Sequence, residues 1–206
     1  MKLYNSVGPN PRVVRMFMAE RGVEVPRVEV DLRGGENRQP PYTEKNPAGQ
    51  LPCLELDDGT VLAEITAICE YLDETAPAGA GSSLIGATPL ERAECRMWTR
   101  RVDLNIAEPL ANGFRFSEGL KMFQGRTRCV PEAAAGLKAM AQDKLRWLDG
   151  LMAGRPFLCG ERLTLADILL FAFVDFGAKV GQPMDPALSN VSAHHARMAA
   201  RPSAAA

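Results

Sequence analysis

The chain has 206 residues, enough for one or two domains, and its 46% hydrophobic and 24% charged residues are ordinary for a globular protein. Its 24 basic and 25 acidic side chains give a formal net charge of -1. It therefore lacks the basic excess that captures nucleic acids or anionic membranes. No apolar run reaches the ~20 residues of a membrane-spanning helix, and the first residues carry no signal-peptide run. We therefore expect a cytoplasmic protein that binds neither nucleic acid nor membrane.

The cysteines are odd in number, scattered, and never spaced as Cys-x-x-Cys. They are Cys53, Cys69, Cys95, Cys129 and Cys159. This pattern excludes a disulfide framework, a zinc finger and a two-cysteine redox centre, and it favours small buried side chains. The two histidines, His194 and His195, are adjacent, so on a helix their side chains point apart. We predict two solvent-exposed histidines and no metal site.

The first third of the chain predicts short alternating strands and helices. Residues 1–4 predict a strand, residues 11–21 an amphipathic helix and residues 28–32 a second strand. Residues 53–62 predict two strands joined by an Asp-Asp-Gly turn, and residues 63–74 predict a helix. The resulting order is β-α-β, a loop, and then β-β-α.

A polar loop is predicted at 33–50, and a Pro/Gly/Ser/Ala-rich linker follows the first unit. The rest of the chain predicts four helices, at 89–110, at 131–153, from 164 onward, and at 193–200. The predicted stripe of the second of these helices contains Leu137, Met140, Ala141, Lys144, Leu145 and Leu148.

The best local signal in the second half is a capping box at Thr164 and Asp167. The threonine hydroxyl accepts the amide of residue 167, and the carboxylate reaches back to the amide of Thr164. The apolar run that follows, ILLFAFVDF, predicts a central helix. Asp167 could instead be a catalytic acid, but the cap explains its position, so we interpret it as structural.

Two segments resemble the soluble glutathione transferases. NPAGQLPCLELDDGTVLAEITAICEYL resembles their glutathione-binding stretch, and GERLTLADILLF resembles their capping-box segment. The resemblance covers essentially the whole chain. It implies an α/β thioredoxin-like N-terminal domain followed by an all-α helical-bundle C-terminal domain. The boundaries that we predict are 1–76 for the glutathione-binding domain, 77–88 for the linker and 89–206 for the helical domain.

The resemblance places glutathione along Leu51 and Pro52. The proline is cis in such folds, so the preceding residue offers its N–H and C=O to the cysteinyl backbone of glutathione. A strand-initiating proline on an edge is the alternative interpretation. Lys45 and Gln50 are the groups available for the glycyl carboxylate of glutathione.

The start of the following helix is expected to bind the other end of glutathione. Helix N-termini attract anions, so the γ-glutamyl carboxylate is expected on the amides of Ile65 and Thr66, with the Glu64 carboxylate facing the ammonium. An acid in a first helical turn is also favourable without any ligand. The family usually has Ser where this chain has Ile65, which bears on the affinity for glutathione.

The group that activates the thiol is not fixed by the sequence. A donor near sulfur lowers the thiol pKa from about 8.5, and in the family this donor follows the first strand. Tyr4, Asn5, Ser6 and Asn10 are the candidates. Ser6 is slightly favoured over Tyr4 because it lies beyond the strand, where the loop meets the ligand. No cysteine occupies the family's nucleophile positions, which argues against thiol-transfer chemistry.

A bacterial and fungal subgroup of the family offers another route. MKLYNS, EITAI and MWTRRVDLNIAEPLANGFRFSEGL resemble this subgroup, which lacks the usual tyrosine, serine or cysteine. Its thiol is activated through a water held by the C-terminal domain, which makes Arg115 and Ser117 candidates. An electrophile pocket between the two domains is expected to be lined by Phe114, Phe116, Leu120 and Phe123, although ordinary core packing explains these residues equally well.

The resemblance therefore implies an enzyme that adds the thiolate of glutathione, its co-substrate, to a small hydrophobic electrophile. It also implies a homodimer without a metal. Two alternatives remain: a non-catalytic module of the same fold that makes protein contacts, and a glutathione-dependent peroxidase or isomerase.

Overall fold

The computed structural model describes residues 1–206, which form two compact units. One unit contains Met1–Ile85 together with Pro202–Ala206, and the other contains Gly86–Arg201. Residues 77–85 of the predicted linker and the last five residues thus belong to the N-terminal unit. In that unit the short 3₁₀ helix Pro202–Ala205 packs on the first α-helix, where the Arg12 guanidinium donates to the Ala204 carbonyl at 2.9 Å.

The N-terminal unit follows the predicted order of elements. Its helices and strands are β1 (Lys2–Asn5), α1 (Pro9–Arg21), β2 (Arg27–Glu29), α2 (Tyr42–Lys45), β3 (Cys53–Glu55), β4 (Val61–Leu62) and α3 (Ile65–Glu74). The sheet order is β2-β1-β3-β4, with β1 parallel to β2 and antiparallel to β3, and with β3 antiparallel to β4. This mixed sheet with its two packed helices confirms the predicted thioredoxin-like fold.

The two faces of the sheet have different surroundings because successive strand residues point to opposite sides. Leu3 and Leu54 are fully buried, as are the apolar stripes of α1 and α3, which pack on each other. Tyr4 alternates with Leu3 and belongs to a second cluster. That cluster contains Tyr4, Val30, Tyr42, Leu51 and Cys53.

The region predicted as a loop at 33–50 contains helical structure. A 3₁₀ turn spans Glu36–Arg38 and α2 spans Tyr42–Lys45. Sequence periodicity missed α2 because four residues hold too little pattern, and the segment is fixed instead by the buried side chain of Tyr42. The strand predicted at 28–32 is shorter, since β2 ends at Glu29.

The C-terminal unit is all-helical, as predicted. It contains α4 (Pro89–Val102), a π-helical turn (Asp103–Ala107), α5 (Glu108–Arg115), α6 (Leu120–Phe123), α7 (Ala134–Leu151), α8 (Leu165–Lys179) and α9 (Ser189–Ala199). The helix predicted at 89–110 therefore continues to Arg115 through a widened turn. That turn ends two residues before Pro109, whose ring has no N–H and crowds the carbonyl of Asn105.

The central position of α8 is confirmed, because its residues from Leu165 to Val174 are all buried. The stripe predicted for α7 is partly wrong. Ala141, Leu145 and Leu148 are buried, whereas Met140 and Lys144 are exposed. Each of these two residues lies one position before a buried residue, which rotates it about 100° away from the buried face.

Candidate functional site

The N-terminus of α3 has no side-chain cap, and its N-cap residue has a strained backbone conformation. Its N-cap, Glu64, has φ 67° and ψ 122° and is the one non-glycine residue with positive φ. Such a conformation costs about 1–3 kcal/mol and is concentrated at functional sites. No side chain caps the helix, so the first N–H groups keep their capacity to bind an anion. Ile65 and Thr66 supply those amides.

The Glu64 carboxylate is exposed and makes no hydrogen bond. The hydroxyl of Thr66 is likewise without a partner in the protein. A negative group beside free amide donors suits a ligand that carries a carboxylate and an ammonium together, because each charge then meets its opposite.

The Leu51–Pro52 peptide bond is cis, which confirms the prediction for this proline. Both residues are buried immediately before β3. In the sheet, Tyr4 lies opposite Cys53. Because the two strands are antiparallel, the loop that follows β1 at Asn5 and the Leu51–Pro52 segment that precedes β3 lie at the same end of this strand pair.

The segment before Leu51 is held by buried polar groups. The Tyr42 hydroxyl and the Asn46 amide both donate to the carbonyl of Gln50, the latter at 2.9 Å. The Asn37 amide donates to the carbonyl of Gly49 at 2.6 Å. With its backbone anchored, Gln50 leaves its side chain exposed and free of hydrogen bonds.

Lys45 belongs to a charged cluster around Glu55. One Glu55 oxygen accepts a hydrogen bond from the Tyr4 hydroxyl at 2.6 Å and lies 3.0 Å from the Lys45 ammonium. The other lies 3.6 Å from the Lys2 ammonium. The bonds from Tyr4 and then Lys45 lower the pKa of Glu55 to about 2. Burial, followed by the bond to Glu55, raises the pKa of Tyr4.

The candidate hydrogen-bond donors to the glutathione thiolate, near the end of β1, differ in whether their side chains already bond to the protein. The Tyr4 hydroxyl donates to Glu55, and the buried Ser6 hydroxyl donates to the Val30 carbonyl at 2.7 Å. Each hydroxyl has a single proton, so both are committed in this arrangement. Asn10, the second residue of α1, is half-buried and its amide has no partner.

The two candidates of the C-terminal unit lie around the end of α5. The Arg115 guanidinium donates to Asn112 Oδ1 at 2.8 Å and lies 3.9 Å from Glu108. The Ser117 hydroxyl lies 2.5 Å from both the Gly113 carbonyl and the Glu118 carboxylate.

The predicted pocket-lining aromatic residues are partly packed on one another inside this unit. The Phe114 ring makes edge-on contacts with Phe123 and Phe176, at centroid distances of 6.1 and 5.3 Å. Phe116 and Leu120 are half-buried, so they are neither in the deep core nor fully in solvent. Their role as a lining for an electrophile stays a prediction.

Three of the five cysteine thiols have a raised pKa. Cys53 and Cys95 are buried, and burial raises the pKa of both. Burial also raises the pKa of Cys159 to about 11. The structure contains no group of His, Cys, Asp and Glu side chains arranged to hold a metal ion.

The prediction of two solvent-exposed histidines is wrong for His194. Its side chain is 1% exposed, and Nε2 lies 3.1 Å from an oxygen of the fully buried Asp167. The same carboxylate accepts the Leu158 and Thr164 amides, each at 2.8 Å. A sequence pattern indicates only which face of a helix a residue occupies, and here α9 turns that face toward α8.

Sequence reasoning also missed Glu55. Its signal was a charged residue between two leucines in the strand Cys-Leu-Glu-Leu, with Lys2 directly opposite in the sheet. That signal needed the strand register, which the sequence did not supply.

A thioredoxin-like unit followed by an all-helical unit is the architecture of the glutathione transferases. Residues 7–75 match the family described as "Glutathione S-transferase, N-terminal domain", and residues 131–202 match "Glutathione S-transferase, C-terminal domain". The chain is 32% identical to Glutathione S-transferase 2 of Saccharomyces cerevisiae, over 98% of this chain and 87% of that protein. It is 30% identical to GstA of Escherichia coli O157:H7, over 98% and 94% of the two chains.

The solved structures include a glutathione S-transferase domain-containing protein of Marinobacter aquaeolei VT8. Its TM-score to this chain is 0.91 at 37% identity, and the match covers 98% of this chain and 99% of the other. The chain therefore belongs to the glutathione S-transferase family, whose co-substrate is glutathione. None of its helices combines the length and the apolar composition that a membrane-spanning segment requires.

Proposed function

We propose that this protein binds glutathione and adds its thiolate to a small hydrophobic electrophile. The observation that carries the proposal is the N-terminus of α3, where the strained Glu64 leaves its carboxylate unpaired beside uncapped amides. The γ-glutamyl residue of glutathione binds here through two groups. Its carboxylate binds the amides of Ile65 and Thr66, and its ammonium binds the Glu64 carboxylate. Strain is retained where it serves binding, which distinguishes this helix start from an ordinary acidic first turn.

The rest of glutathione is proposed to run along the chain segments that precede β3. The cysteinyl backbone pairs with Leu51 beside Pro52. The glycyl carboxylate lies toward Gln50 and Lys45, whose polar ends are exposed or partly exposed. The register of β1 against β3 supports a thiol position near the loop after Ser6.

We propose that a side-chain donor stabilises the thiolate. Asn10 is favoured among the groups after β1 because its amide protons are not committed to the protein, whereas those of Tyr4 and Ser6 are. An N–H donor close to sulfur favours the anion and lowers the thiol pKa. Arg115 and Ser117 of the C-terminal unit are the alternative, acting through a bound water.

We propose a homodimer, the usual state of the family. Three large apolar side chains of the segment from α4 into the π-helical turn support it, because they recur every seven residues and are exposed. Leu90 is 71% exposed, Met97 41% and Leu104 49%. Seven residues are close to two helical turns, so these side chains form one stripe. We also propose that the protein acts in the cytoplasm.

An ultraviolet titration of the glutathione thiolate between pH 5 and 9, with and without the protein, tests the proposal. We expect the bound thiol to titrate well below its free pKa of about 8.5. Asn10→Ala should abolish the shift, and Ser6→Ala, Tyr4→Phe and Ser117→Ala provide the comparison set. If glutathione binds but the pKa of its thiol is unshifted, the protein is a glutathione-binding module that does not activate the thiol.

Isothermal titration calorimetry with glutathione tests the alternative that the protein is a non-catalytic interaction module. That alternative is favoured by Ile65, which lacks the hydroxyl that family members usually have there. If glutathione does not bind, the transferase proposal is wrong and the module takes its place. If it binds and its thiol is activated, assays with peroxides and isomerisable substrates separate the remaining glutathione-dependent activities.

A further inference from the structure

The turn between β1 and α1, residues 6–8, begins in a network of polar side chains. Arg15, on the second turn of α1, donates through one nitrogen to Asn5 Oδ1 at 2.8 Å and to the Ser6 carbonyl at 3.0 Å. The Asn5 amide donates in turn to Glu29 on β2 at 2.6 Å. The network therefore joins α1, the end of β1 and β2 at the point where the turn starts.

The Asn5 amide fits this network in only one orientation. Its oxygen faces the Arg15 guanidinium and its NH2 group faces Glu29. Exchanging the two groups would bring donor against donor and acceptor against acceptor. Asn5 is also 5% exposed, so water does not readily replace either bond. The network therefore has one arrangement, with Arg15 at one end and Glu29 at the other.

Arg15 also sets the direction of the peptide unit that follows Ser6. A peptide unit is planar and trans, so holding the Ser6 carbonyl toward Arg15 directs the next N–H, that of Val7, the opposite way. The Ser6 hydroxyl donates to the Val30 carbonyl at 2.7 Å, and the Val30 N–H donates to the Asn5 carbonyl at 2.9 Å. The start of the turn is therefore held through both its side chains and its backbone.

Stability alone does not explain why a charged side chain occupies this place. Burial, followed by the nearby Arg27, lowers the pKa of Arg15, so the fold holds this charge against an electrostatic penalty. The acid of the network, Glu29, is exposed, and Asn5 stands between it and Arg15. Ion pairs of partly exposed groups contribute little even in direct contact. What the network does provide is a defined geometry for the turn.

The turn lies at the end of the strand pair where the proposed glutathione thiol is placed. β1 ends at Asn5 and β3 begins just after the cis Leu51–Pro52 peptide, so the turn and this peptide share one end of the antiparallel pair. Asn10, the proposed donor to the thiolate, follows the turn as the second residue of α1. Hydrogen bonds weaken steeply when distance or angle departs from the optimum, so the donor depends on how the turn is held.

We propose that Arg15 is a positioning residue for the thiol chemistry: through the Asn5 amide and the Ser6 carbonyl, it holds the β1–α1 turn in the arrangement that lets the start of α1 stabilise the glutathione thiolate. This inference rests on the proposed function. Arg15 acts through the turn and does not itself contact the sulfur. Glu29 supports it by fixing the other end of the Asn5 amide.

The ultraviolet titration of the bound glutathione thiolate tests this role. Arg15→Met keeps an unbranched side chain but removes both bonds, and it should raise the pKa of the bound thiol by about one unit relative to the parent. The affinity for glutathione at about pH 5, where the thiol is protonated, should change less than about twofold, because the Leu51 and Glu64 contacts remain. Isothermal titration calorimetry measures this affinity. A merely structural role would lower the affinity together with the thiol activation.

Arg27→Met is the matched control for charge. Arg27 carries the same charge close enough to influence Arg15, and it has no bond to the turn. An effect of bare positive charge predicts that both substitutions raise the pKa of the bound thiol. Positioning predicts that Arg15→Met raises it and that Arg27→Met leaves it as in the parent.

Glu29→Met separates the two explanations by the sign of the shift. Removing a negative charge would by itself lower the pKa of the bound thiol. Positioning predicts a rise, because the Asn5 amide loses one of the two partners that orient it. Glu24→Met, at another exposed acid of the same unit, should not raise it. Because Glu29 is exposed, this variant still tests the inference if circular dichroism shows that Arg15→Met does not fold.

The outcomes distinguish the inference from the proposed function. If Arg15→Met and Glu29→Met both retain the thiol pKa of the parent, Arg15 has no positioning role and the inference is wrong, while the transferase proposal stands. If Arg15→Met and Arg27→Met raise the pKa equally and Glu29→Met lowers it, charge and not position is responsible, and the inference is again wrong. If the parent itself leaves the thiol pKa unshifted, the proposed function fails and the inference fails with it.

Discussion

Glu64 combines a strained backbone with an unpaired carboxylate. A residue with a side chain pays for positive φ whether or not a ligand is present. The conformation leaves its carboxylate in solvent and frees the first amides of α3. An interaction with an ammonium group is the use that this arrangement fits best.

We predict that Glu64→Ala weakens glutathione binding at least about tenfold, since a hydrogen bond to a charged group contributes roughly 1.5–3 kcal/mol. Isothermal titration calorimetry measures the change. Glu74→Ala is the control, because it removes an exposed glutamate at the other end of the same helix. Equal affinities for the parent and Glu64→Ala would contradict the proposed pose.

Glu55 should make stability depend on acidity. Its pKa of about 2 lies below the ordinary value near 4.3, so folding favours the ionised form. The corresponding stability is complete above the ordinary pKa and is lost as the pH falls from there through about 2. We predict that Glu55→Gln flattens this part of the curve of melting temperature against pH. Parallel curves for the parent and the variant would show that Glu55 does not pair with Tyr4 and Lys45 in solution.

At the scale of elements, the capping boxes of α4 and α8 each pair a threonine with an acidic residue three positions later, in different surroundings. The Thr88 hydroxyl accepts the Glu91 amide at 3.2 Å, whereas the Thr164 hydroxyl donates to the Asp167 carboxylate at 2.9 Å. Thr88 with Glu91 begins α4 at the surface, whereas Thr164 with Asp167 begins α8 in the core. The buried Asp167 also accepts an amide from Leu158 and contacts His194. Removing the buried cap therefore disturbs more polar groups that water cannot reach.

We predict that Thr164→Ala lowers the free energy of unfolding by ~1 kcal/mol or more. Thr88→Ala, the same substitution in the exposed box, should cost about half as much because water replaces the lost bond. Urea denaturation of both variants measures the difference. The interpretation fails if Thr164→Ala is as stable as the parent, or if Thr88→Ala is the more damaged of the two.

The elements with a clear period or cap were predictable. Helices α1, α3 and α8 showed apolar stripes or a capping box, and the Asp-Asp-Gly turn joined the predicted strand pair. The short α2 and α6 were not predictable, because four residues carry no helical period. The π-helical turn was also missed, since Pro109 indicates a disturbed helix but not whether the helix ends or widens.

At the scale of the whole molecule, the exposed stripe of Leu90, Met97 and Leu104 concerns assembly. Large apolar side chains recurring on one face favour burial against another surface. We predict that Met97→Glu converts the dimer to a monomer, measured by light scattering during size-exclusion chromatography.

Met140→Glu is the control, because Met140 on α7 is 53% exposed, more than the 41% of Met97, but lies outside the stripe. It should leave the dimer intact. A parent protein that is already monomeric would contradict the proposed homodimer, and a dimer disrupted only by Met140→Glu would place the interface elsewhere.

The sequence by itself determined the two-part architecture, the family, the cap of α8 and the segment that contains Leu51, Pro52 and Glu64. These features are local, because periodicity, caps and short motifs involve residues close together in the chain. Only the tertiary structure decided which side-chain donors are already hydrogen-bonded. The Ser6 hydroxyl donates to the Val30 carbonyl, the Tyr4 hydroxyl donates to Glu55, and His194 is buried in contact with Asp167. These pairings join distant segments, so they depend on strand register and helix packing, which no local pattern specifies.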